Sequence, residues 1–278
     1  MKKIILLTGL LTSTLFFATT ISAQTADSLY RKHIVDSLND IKAHATEYYT
    51  PVPPVVTPGS TFADAPSDAI ILFDGKNLDQ WINTKDSLPA KWILADNVMT
   101  VNKATGDIQT RTSFTDFQLH IEYRIPANIT GSGQARGNSG IFLAALPWGA
   151  GGYELQVLDN YKNTTYVNGQ VGSMYKQAVP LVNACKKPGE WQTYDVVWTA
   201  PRFSKEGILT SLARVTAFHN GVLVQNNTTL LGDTPYQGQP SYRVHGPAPI
   251  KLQAHGDKSE PISYRNIWLR PLSERQSL

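Results

Sequence analysis

The chain has 278 residues, a formal net charge of +3 and only 17% charged residues. No run of basic residues is longer than a pair, so the charge pattern argues against binding to nucleic acid. Asn, Thr, Gly, Tyr and Trp are plentiful, a balance typical of exported β-rich proteins that bind neutral polar ligands such as sugars. The single cysteine, Cys185, excludes an internal disulfide, and no supporting histidine pattern marks it as a nucleophile.

Residues 1–23 have the composition of a secretory signal peptide. Two lysines precede an apolar run from Ile4 to Phe17, and Ser22-Ala23 provides small residues for cleavage. A membrane anchor is the alternative interpretation, but several Thr, Ser and Gly residues make the run short and polar for a transmembrane span. We therefore expect secretion across the inner membrane to the periplasm, with no membrane anchor in the mature chain.

Residues 24–66 are predicted to form an amphipathic helix followed by a Pro-rich linker. Asp27 is expected to be the N-cap, and apolar residues then recur at roughly three- and four-residue steps. These residues are Leu29, Val35, Leu38, Ile41, Ala45 and Tyr48. The stretch TPVPPVVTPG, which starts at Thr50, cannot continue a helix and is expected to stay extended. The helix would pack on the main domain or form a weak coiled contact; docking to a partner is the alternative.

The main domain, residues 67–272, shows many short strand patterns separated by Gly, Pro and Asn turns. The clearest strand candidates are residues 117–125, 139–145, 193–200 and 249–254. Asn220-Gly221 lies between two further strand patterns and predicts a hairpin. No long helical period follows Tyr49, so the sequence predicts an all-β fold, an antiparallel sandwich or jelly roll.

The segment YELQVLD, which starts at Tyr153, raises the first question about function. Its alternation places the apolar residues on a core face, and Glu154 and Gln156 on the opposite face. A carboxylate and an amide at these positions favour a groove in which Glu154 acts as acid, base or substrate ligand. The alternative is an exposed strand face whose polar residues have no function.

A second segment, KLQAHGD from Lys251, repeats this pattern. Gln253 and His255 share a face with Lys251, and Asp257 follows closely enough to orient the imidazole ring. Imidazole is a natural general base near neutral pH, although a lone histidine is more often structural. Together with Glu154, these residues predict a polar groove that crosses two strands.

Two loops are further candidates for a binding site. The glycine-rich loop from Gly131 to Gly140 carries Arg136, and no helix follows it, so it is not a phosphate cradle. It would be a binding loop or lid, or else a plain connection. A later loop would supply Tyr175 and Lys176 as polar groups at a sugar site.

The sequence lacks the motifs of several common hydrolases. It has no His and Cys spacing of a zinc site and no nucleophile elbow. A conventional glycosidase needs two carboxylates across the scissile bond. Glu154 has no such partner on its own strand, because position 156 is an amide, and the nearest acid is Asp159. The pattern therefore favours one acid and one base of different types.

Seven short motifs lie in order between residues 68 and 272. They are LFDGKNLDQW from Leu72, DFQL from Asp116, GNSGI from Gly137, YELQVLDN from Tyr153, GEWQ from Gly189, LQAHG from Leu252 and YRNI from Tyr264. In this set and order the chain resembles the 3-keto-disaccharide hydrolase family. The resemblance implies a concanavalin A-like jelly roll whose concave sheet holds a sugar, and activity on glycosides that carry a ketone at C3. Residues 24–66 lie outside the family pattern, and the chain between His255 and Tyr264 is longer than usual.

The implied chemistry begins with the C3 ketone, which acidifies the hydrogen on C2. Removal of that proton lets the C1 substituent leave by β-elimination, and water then adds to the double bond. Glu154 and His255 would be the base and the acid or ligand, in either order. A divalent metal on these two residues would serve as an electrophile, but the sequence requires none. The expected substrate-binding residues are Gln156, Gln253, Arg136, Tyr175, Lys176 and Asp159.

The expected partner is an oxidised, 3-keto sugar that a separate sugar 3-dehydrogenase produces. Two other functions remain open at this point. In a non-catalytic, lectin-like carbohydrate-binding module, Trp148 or Tyr161 would form the platform beside Gln156 and Asn160. A conventional endo-glycanase would need a second carboxylate facing Glu154. A purely structural role would leave the polar groove without a purpose.

Overall fold

The structure is a computed structural model that describes residues 9–148, 151–258 and 260–272. The first eight residues of the predicted signal peptide lie outside this range. The chain divides into two compact units, and the boundary between them along the sequence falls between Val55 and Val56. Across the described residues, no helical segment has both the length and the hydropathy that crossing a bilayer requires.

The first unit contains the helix α1 (Gly9–His44). Asp27 was predicted to be the N-cap of this helix, but it lies in mid-helix. There its carboxylate accepts a hydrogen bond from Arg31 Nε at 2.9 Å. The helix starts earlier because the run before Asp27 contains several leucines and alanines, which favour helix, and no proline or glycine after Gly9. It ends before Tyr48, and the side chains of residues 24–44 are all exposed.

The second half of the predicted linker, residues 56–66, belongs to the second unit. The carbonyl of Ala63 accepts hydrogen bonds from Asn266 Nδ2 and Trp268 Nε1, both at 2.9 Å. These bonds fasten the segment to a strand of the main sheet. The segment is irregular, as its Pro-rich composition predicted, and none of its residues is buried, but these two hydrogen bonds attach it to the main sheet.

The described residues of the second unit form fifteen strands. These are β1 (Ile70–Phe73), β2 (Trp81–Asn83), β3 (Ile93–Ala95), β4 (Val98–Thr100), β5 (Ile108–Thr110), β6 (Phe117–Arg124), β7 (Ser139–Ala145), β8 (Gly152–Val157), β9 (Trp191–Thr199), β10 (Arg202–Phe203), β11 (Leu209–Ser211), β12 (Arg214–His219), β13 (Val222–Thr229), β14 (Lys251–Leu252) and β15 (Ser263–Pro271). Short 3₁₀ turns also occur at Gly133–Ala135 and Val167–Gly169.

Strands β6, β7 and β9 lie where the sequence predicted them. Strand β14 is shorter than the predicted segment, and two local features explain the difference. Pro249 has no N–H to donate to a neighbouring strand. The N–H of Ala254 donates to the side chain of Asp107 at 2.8 Å, and not to a backbone carbonyl.

The strands assemble into two large antiparallel sheets. Eight strands form the first, in the order β13-β12-β9-β6-β15-β4-β3, with β1 also paired to β15. The second has five strands in the order β2-β5-β14-β7-β8, and β10 and β11 form a separate ribbon. The fold is therefore the all-β, antiparallel sandwich of the predicted jelly-roll class.

The predicted hairpin at Asn220-Gly221 is confirmed and connects β12 to β13. The φ angles of Asn220 and Gly221 are +53° and +78°. Two consecutive left-handed residues are the signature of a type I′ turn, which matches the twist of the flanking strands.

The core lies between the two large sheets. The apolar residues of YELQVLD face inward from β8, and Tyr153 packs on Trp198 of the opposite sheet with ring centroids 5.1 Å apart. Tyr194 lies beside them, and its hydroxyl donates to the Gln156 carbonyl at 2.7 Å. Large aromatic side chains contribute strongly to a core, since each buries roughly 150–250 Å². Because these residues face inward, the Glu154 and Gln156 side chains lie on the outer face of the five-stranded sheet.

The outer face of the eight-stranded sheet carries a buried histidine, His120, which is 2% exposed. Its Nδ1 is 2.7 Å from Asp195 Oδ1, its Nε2 is 3.7 Å from Glu122 Oε1, and its ring stacks on Trp268. Burial by itself lowers the pKa of His120, but the two acidic partners outweigh it and raise the pKa to about 9. Strand alternation alone places His120 on the outer face, and the structure adds that it is buried between two acidic partners and charged.

Candidate active site

A cavity of about 240 Å³, the inner cavity, opens on the outer face of the five-stranded sheet. It is lined by Gln134, Asn138, Glu154, Gln156, Tyr175, Tyr236, Gln253 and His255. Four of these residues, Glu154, Gln156, Gln253 and His255, come from the two segments predicted to share a polar groove. They meet because only β7 separates β8 from β14 in the sheet. Their chemical roles remain predictions.

Glu154 lies in the middle of β8 and is 5% exposed. Its N–H donates to Thr234 Oγ1 at 2.9 Å, and its carbonyl accepts from the Tyr175 N–H at 3.0 Å. On the adjacent strand, Gly140 leaves the space that the Glu154 carboxyl occupies, since a Cβ at Gly140 would overlap Glu154 Oε1. The glycine of the GNSGI motif therefore makes room for the acid.

Burial raises the pKa of Glu154 to about 8. Two charged neighbours modify this value, because Lys251 lowers the pKa and Asp107 raises it. Lys251 Nζ lies 3.7 Å from Asp107 Oδ2 and 3.6 Å from the centroid of the Phe142 ring. Glu154 is thus mostly protonated at pH 7 and becomes a comparatively basic carboxylate at slightly higher pH.

A group of side-chain amides surrounds the floor of the inner cavity. Gln156 Nε2 donates to Asn138 Oδ1 at 3.2 Å and lies 3.4 Å from Gln134 Oε1. Gln156 Oε1 and Gln253 Oε1 are buried and have no hydrogen-bond partner among the described residues. Buried acceptors are rarely left unpaired, so these two oxygens mark positions where a ligand hydroxyl would donate.

His255 follows β14, and its side chain is about one third exposed. Its Nδ1 is 3.3 Å from both the backbone N and Oδ2 of Asp257, and Lys103 Nζ donates to Asp257 Oδ1 at 2.9 Å. The backbone N–H can donate only to an unprotonated Nδ1, whereas a protonated Nδ1 donates to the carboxylate. Asp257 is therefore placed to orient the imidazole ring through Nδ1.

A second cavity of about 440 Å³, the outer cavity, adjoins the first. The two share Gln134, Asn138, Tyr175, Tyr236 and His255. The outer cavity alone adds Ala135, Tyr166, Lys176 and Asp257. The predicted binding residue Tyr175 thus lies at the junction of the two cavities, and the predicted Lys176 lies in the outer one.

Arg136 and Asp159 are not brought to either cavity, although both were predicted to contact substrate. Arg136 Nε lies 2.6 Å from Asp159 Oδ2, and the Asp159 side chain is completely buried. Asp159 also accepts a hydrogen bond from the Tyr161 N–H at 2.9 Å. This placement corrects the prediction: the two charges neutralise each other and tie the glycine-rich loop to the end of β8.

The residues proposed for a lectin-like platform also lie outside both cavities. The Arg243 guanidinium lies 5.7 Å from the ring centroid of Trp148, and the Lys162 ammonium lies 5.7 Å from that of Tyr161. Asn160 Nδ2 donates to a backbone carbonyl within its own loop. An aromatic platform beside Gln156 is therefore not formed by these residues.

Among the residues that the structure describes, Glu154 is the only acidic one that lines the inner cavity. The paired carboxylates of a conventional glycosidase are thus not assembled there. Within the described ranges there is no group of three His, Cys, Asp or Glu side chains that could hold a metal ion. The divalent metal suggested for Glu154 and His255 stays a prediction, and we assign no catalytic step to it.

Sequence reasoning missed three residues that line both cavities, Gln134, Asn138 and Tyr236. Gln134 and Asn138 belong to the glycine-rich loop, whose composition was a usable signal. Tyr236 carried no such signal, because it lies in a long connection without strand periodicity. It reaches the site through tertiary contacts, including the hydrogen bond from Lys176 Nζ to its carbonyl.

The fold is an antiparallel sandwich, and its cavity is lined by amides, tyrosines and one buried acid, groups that suit a neutral polar ligand. Residues 68–270 match the family model described as the 3-keto-alpha-glucoside-1,2-lyase-like domain. The chain belongs to this family, as its seven motifs predicted. It is therefore a carbohydrate-active protein of the glycosidase type.

Solved structures from Parabacteroides distasonis ATCC 8503 are similar to this chain. One, a candidate glycosyl hydrolase, is 55% identical over 82% of this chain and 96% of its own, with a TM-score of 0.76. Two others with the same description are 18% and 21% identical and cover 74% and 73% of this chain and 94% and 99% of theirs. Their TM-scores of 0.53 show the shared fold alone. No curated protein matches the sequence.

Proposed function

We propose that the chain cleaves 3-keto-glycosides by proton abstraction at C2, β-elimination at C1 and rehydration. The observation that carries this proposal is that Glu154 and His255, a carboxyl and an imidazole, line one cavity to which the described residues supply no second acid. Membership of the 3-keto-alpha-glucoside-1,2-lyase-like family supports the substrate class. The relative at 55% identity, a candidate glycosyl hydrolase, supports cleavage of a glycosidic bond.

The reaction needs a base, an acid and one water molecule. The base removes the C2 proton, and the freed electron pair forms a C2–C3 double bond as the ketone becomes an enolate. When the ketone re-forms, the electrons move to a C1–C2 double bond and the bond from C1 to the leaving oxygen breaks. The acid protonates that oxygen. Water then adds its oxygen to C1 and a proton to C2, so the net reaction is hydrolysis.

The positions of Glu154 and His255 favour one assignment of the two roles. Glu154 lines the inner cavity only, whereas His255 lines both cavities and so stands where a bound glycoside would pass between them. We therefore assign Glu154 as the base at C2 and His255 as the acid at the leaving oxygen. A carboxylate whose pKa is about 8 is a better base for a carbon acid than an ordinary carboxylate.

The amides of the inner cavity would bind the sugar ring. Gln156 Oε1 and Gln253 Oε1 would accept hydrogen bonds from hydroxyl groups, which satisfies the two unpaired acceptors. The side-chain N–H groups of Gln253 are candidate donors to the enolate oxygen, since those of Gln156 already face Asn138 and Gln134. One donor placed at a developing oxyanion contributes on the order of 3 kcal/mol to transition-state stabilisation.

The proposal extends to the cellular setting of the protein. The N-terminal sequence supports export to the periplasm, where the mature chain would act without a membrane anchor. A ketone at C3 arises by oxidation of the C3 hydroxyl, so a separate sugar 3-dehydrogenase would supply the substrate.

A chromogenic assay tests the proposed reaction directly. The protein is mixed with 4-nitrophenyl 3-keto-glucoside and with the unoxidised 4-nitrophenyl glucoside, in H₂O and in D₂O. We expect release of nitrophenol from the keto substrate only, and deuterium at C2 of the sugar product. Glu154→Gln and His255→Gln should each lower kcat by roughly a hundred- to ten-thousand-fold.

Matched controls are Glu190→Gln and His33→Gln, which remove an exposed acid and an exposed histidine outside both cavities. Both should keep the parent's kcat. Equal cleavage of the unoxidised glucoside, without deuterium at C2, would establish a conventional glycosidase instead. Tight binding of the keto substrate with no release of nitrophenol would establish a lectin-like module.

A further inference from the structure

We propose that the outer cavity binds the leaving half of the substrate as a ring that stacks on tyrosine side chains. This inference rests on the proposed function, because it names the group that departs from C1. It extends that function by selecting glycosides with a ring-bearing leaving group, whether a phenol or a second sugar, over those with a simple alkyl group.

The first support is the relation between the two cavities. The inner cavity, at about 240 Å³, is small for a whole glycoside, whereas the outer one is larger, at about 440 Å³. They share five lining residues, so one ligand can extend through both. His255 is among the shared residues, which places the proposed acid at the boundary where the glycosidic oxygen would lie.

The second support is a fixed aromatic corner formed by Tyr166 and Tyr175. Their hydroxyl groups are 2.6 Å apart, and their rings are 6.2 Å apart with an interplanar angle of 54°. The Tyr166 ring lies directly against the backbone of Gly169, where a Cβ would overlap the ring. Tyr166 nevertheless remains 43% exposed. A large aromatic side chain that its neighbours hold in place and that is still partly exposed can serve as a preorganised stacking platform.

The third support is the opposite loop, which brings Tyr236 to the same cavity. Tyr236 is 66% exposed, and the ammonium of Lys176 lies 4.6 Å from its ring centroid. Lys176 Nζ also donates to the Tyr236 carbonyl, and Gln177 Nε2 donates to the Gly232 carbonyl at 3.0 Å. These bonds connect the two loops that form the walls. The cavity is thus a built site and not a gap between unconnected loops.

The chemistry of the lining selects the kind of ring. Tyrosine faces stack on flat or nearly flat rings, and phenol and pyranose rings both present such a face. The amides of Gln134 and Asn138 lie at the junction and can bond polar substituents of either ring. A methyl leaving group reaches none of the exposed tyrosine surface.

The test compares kcat/KM for three 3-keto-glucosides whose leaving groups are methanol, a phenol and glucose. We expect the parent chain to prefer the phenyl or the glucosyl substrate, or both, over the methyl one. Tyr166→Ala should reduce that preference roughly three- to tenfold, the size expected for one aromatic contact. Gly169→Ala displaces the Tyr166 ring without removing it, and should also reduce the preference for ring-bearing leaving groups. Tyr161→Ala removes a tyrosine of the same connection that lines neither cavity, and it should keep the parent's preference.

The outcomes separate this inference from the proposed function. Phenol leaves more readily than an alcohol in any case, so the occupant is identified by the loss that Tyr166→Ala causes. A larger loss for the phenyl than for the glucosyl substrate identifies a phenol as the leaving group, and the reverse identifies a sugar. Equal kcat/KM for all three substrates would overturn the inference while leaving the reaction intact. If no substrate turns over, the proposed function fails, and calorimetry with unoxidised phenyl and methyl glucosides then tests the cavity alone. Equal affinities of the parent chain for those two ligands would overturn the inference in that case.

Discussion

Gly140 on β7 provides the space into which the carboxyl group of Glu154 on β8 fits. A side chain at position 140 would displace the proposed base by overlapping Oε1. The two residues lie on neighbouring strands, so the sequence of either strand alone does not predict this contact. It also explains why a glycine, which is unfavourable inside a strand, occupies a central position of this sheet.

Substitution of Gly140 by alanine should therefore misplace the acid and reduce catalysis. A displacement on the order of 1 Å at a catalytic group lowers the rate by roughly a hundredfold. The measurement is kcat/KM on a 3-keto-glucoside, with the fold checked by circular dichroism. Gly246→Ala is the matched control, since a Cβ there meets nothing within 4 Å and its activity should stay at the parent's level. A Gly140→Ala variant as active as the parent would contradict the assigned position of the base.

The raised pKa of Glu154 predicts a stability that falls as pH rises. In the unfolded chain this carboxyl ionises near its ordinary pKa of 4.5, whereas in the folded chain it keeps its proton until about pH 8. Ionisation therefore favours unfolding progressively between those two values. Glu154→Gln should be more stable than the parent at pH 9, by up to a few kcal/mol, with the gain disappearing near pH 4.5.

Chemical unfolding of the parent and of Glu154→Gln at pH 5, 7 and 9 measures this difference in unfolding free energy. The exposed acid Glu190 gives the control, because Glu190→Gln should show no such trend with pH. A pH-independent difference for Glu154→Gln would mean that burial does not hold this carboxyl neutral.

Substitutions at Lys251 and Asp107 should shift the pH profile of kcat/KM in opposite directions. If ionised Glu154 is the base, kcat/KM rises with pH through its pKa of about 8. Lys251→Met removes the cation that lowers this pKa and should shift the rising limb to higher pH. Asp107→Asn removes the anion that raises it and should shift the limb to lower pH, each by about one unit.

Lys251→Arg retains the charge and serves as the conservative control, with a limb close to that of the parent. A purely structural role of the two residues would lower activity in both variants without moving their profiles apart. Shifts in the same direction for Lys251→Met and Asp107→Asn would refute the electrostatic assignment.

The raised pKa of His120, on the eight-stranded sheet, also predicts a folding stability that falls as pH rises. Its pKa is about 9 in the folded chain against 6.5 ordinarily, so its contribution to stability is complete below pH 6.5 and is lost as pH rises through 9. His120→Gln should therefore destabilise the protein more at pH 6 than at pH 10, by at most a few kcal/mol. Unfolding free energies at the two pH values give the result, and the loss of packing cancels in their difference. An equal destabilisation at both would show that the charge contributes nothing.

The strands and their faces were largely predictable because strand geometry is local. Successive side chains alternate, so the apolar residues around Tyr153 had to share a face, and Glu154 and Gln156 had to share the other. The Asn220-Gly221 turn was predictable for a similar reason, since both residues tolerate the left-handed backbone of a type I′ turn. The seven motifs then indicated the family.

The failures of the prediction concern partners that are distant in sequence. Arg136 was expected at the substrate, but it pairs with Asp159 across a loop. His120 was assigned no special role, yet it is charged because Asp195 and Glu122 lie beside it. In each case the residue type was visible, but the neighbour that determines its chemistry was not.

By itself, the sequence determined which side chains alternate along each strand, the family and the residue types available for proton transfer. Only the tertiary structure decided which of them meet, because strand register and loop packing join segments that are far apart along the chain. Burial in that assembly raises the pKa of Glu154, and desolvation depends on every surrounding element. A local pattern contains no information about that environment.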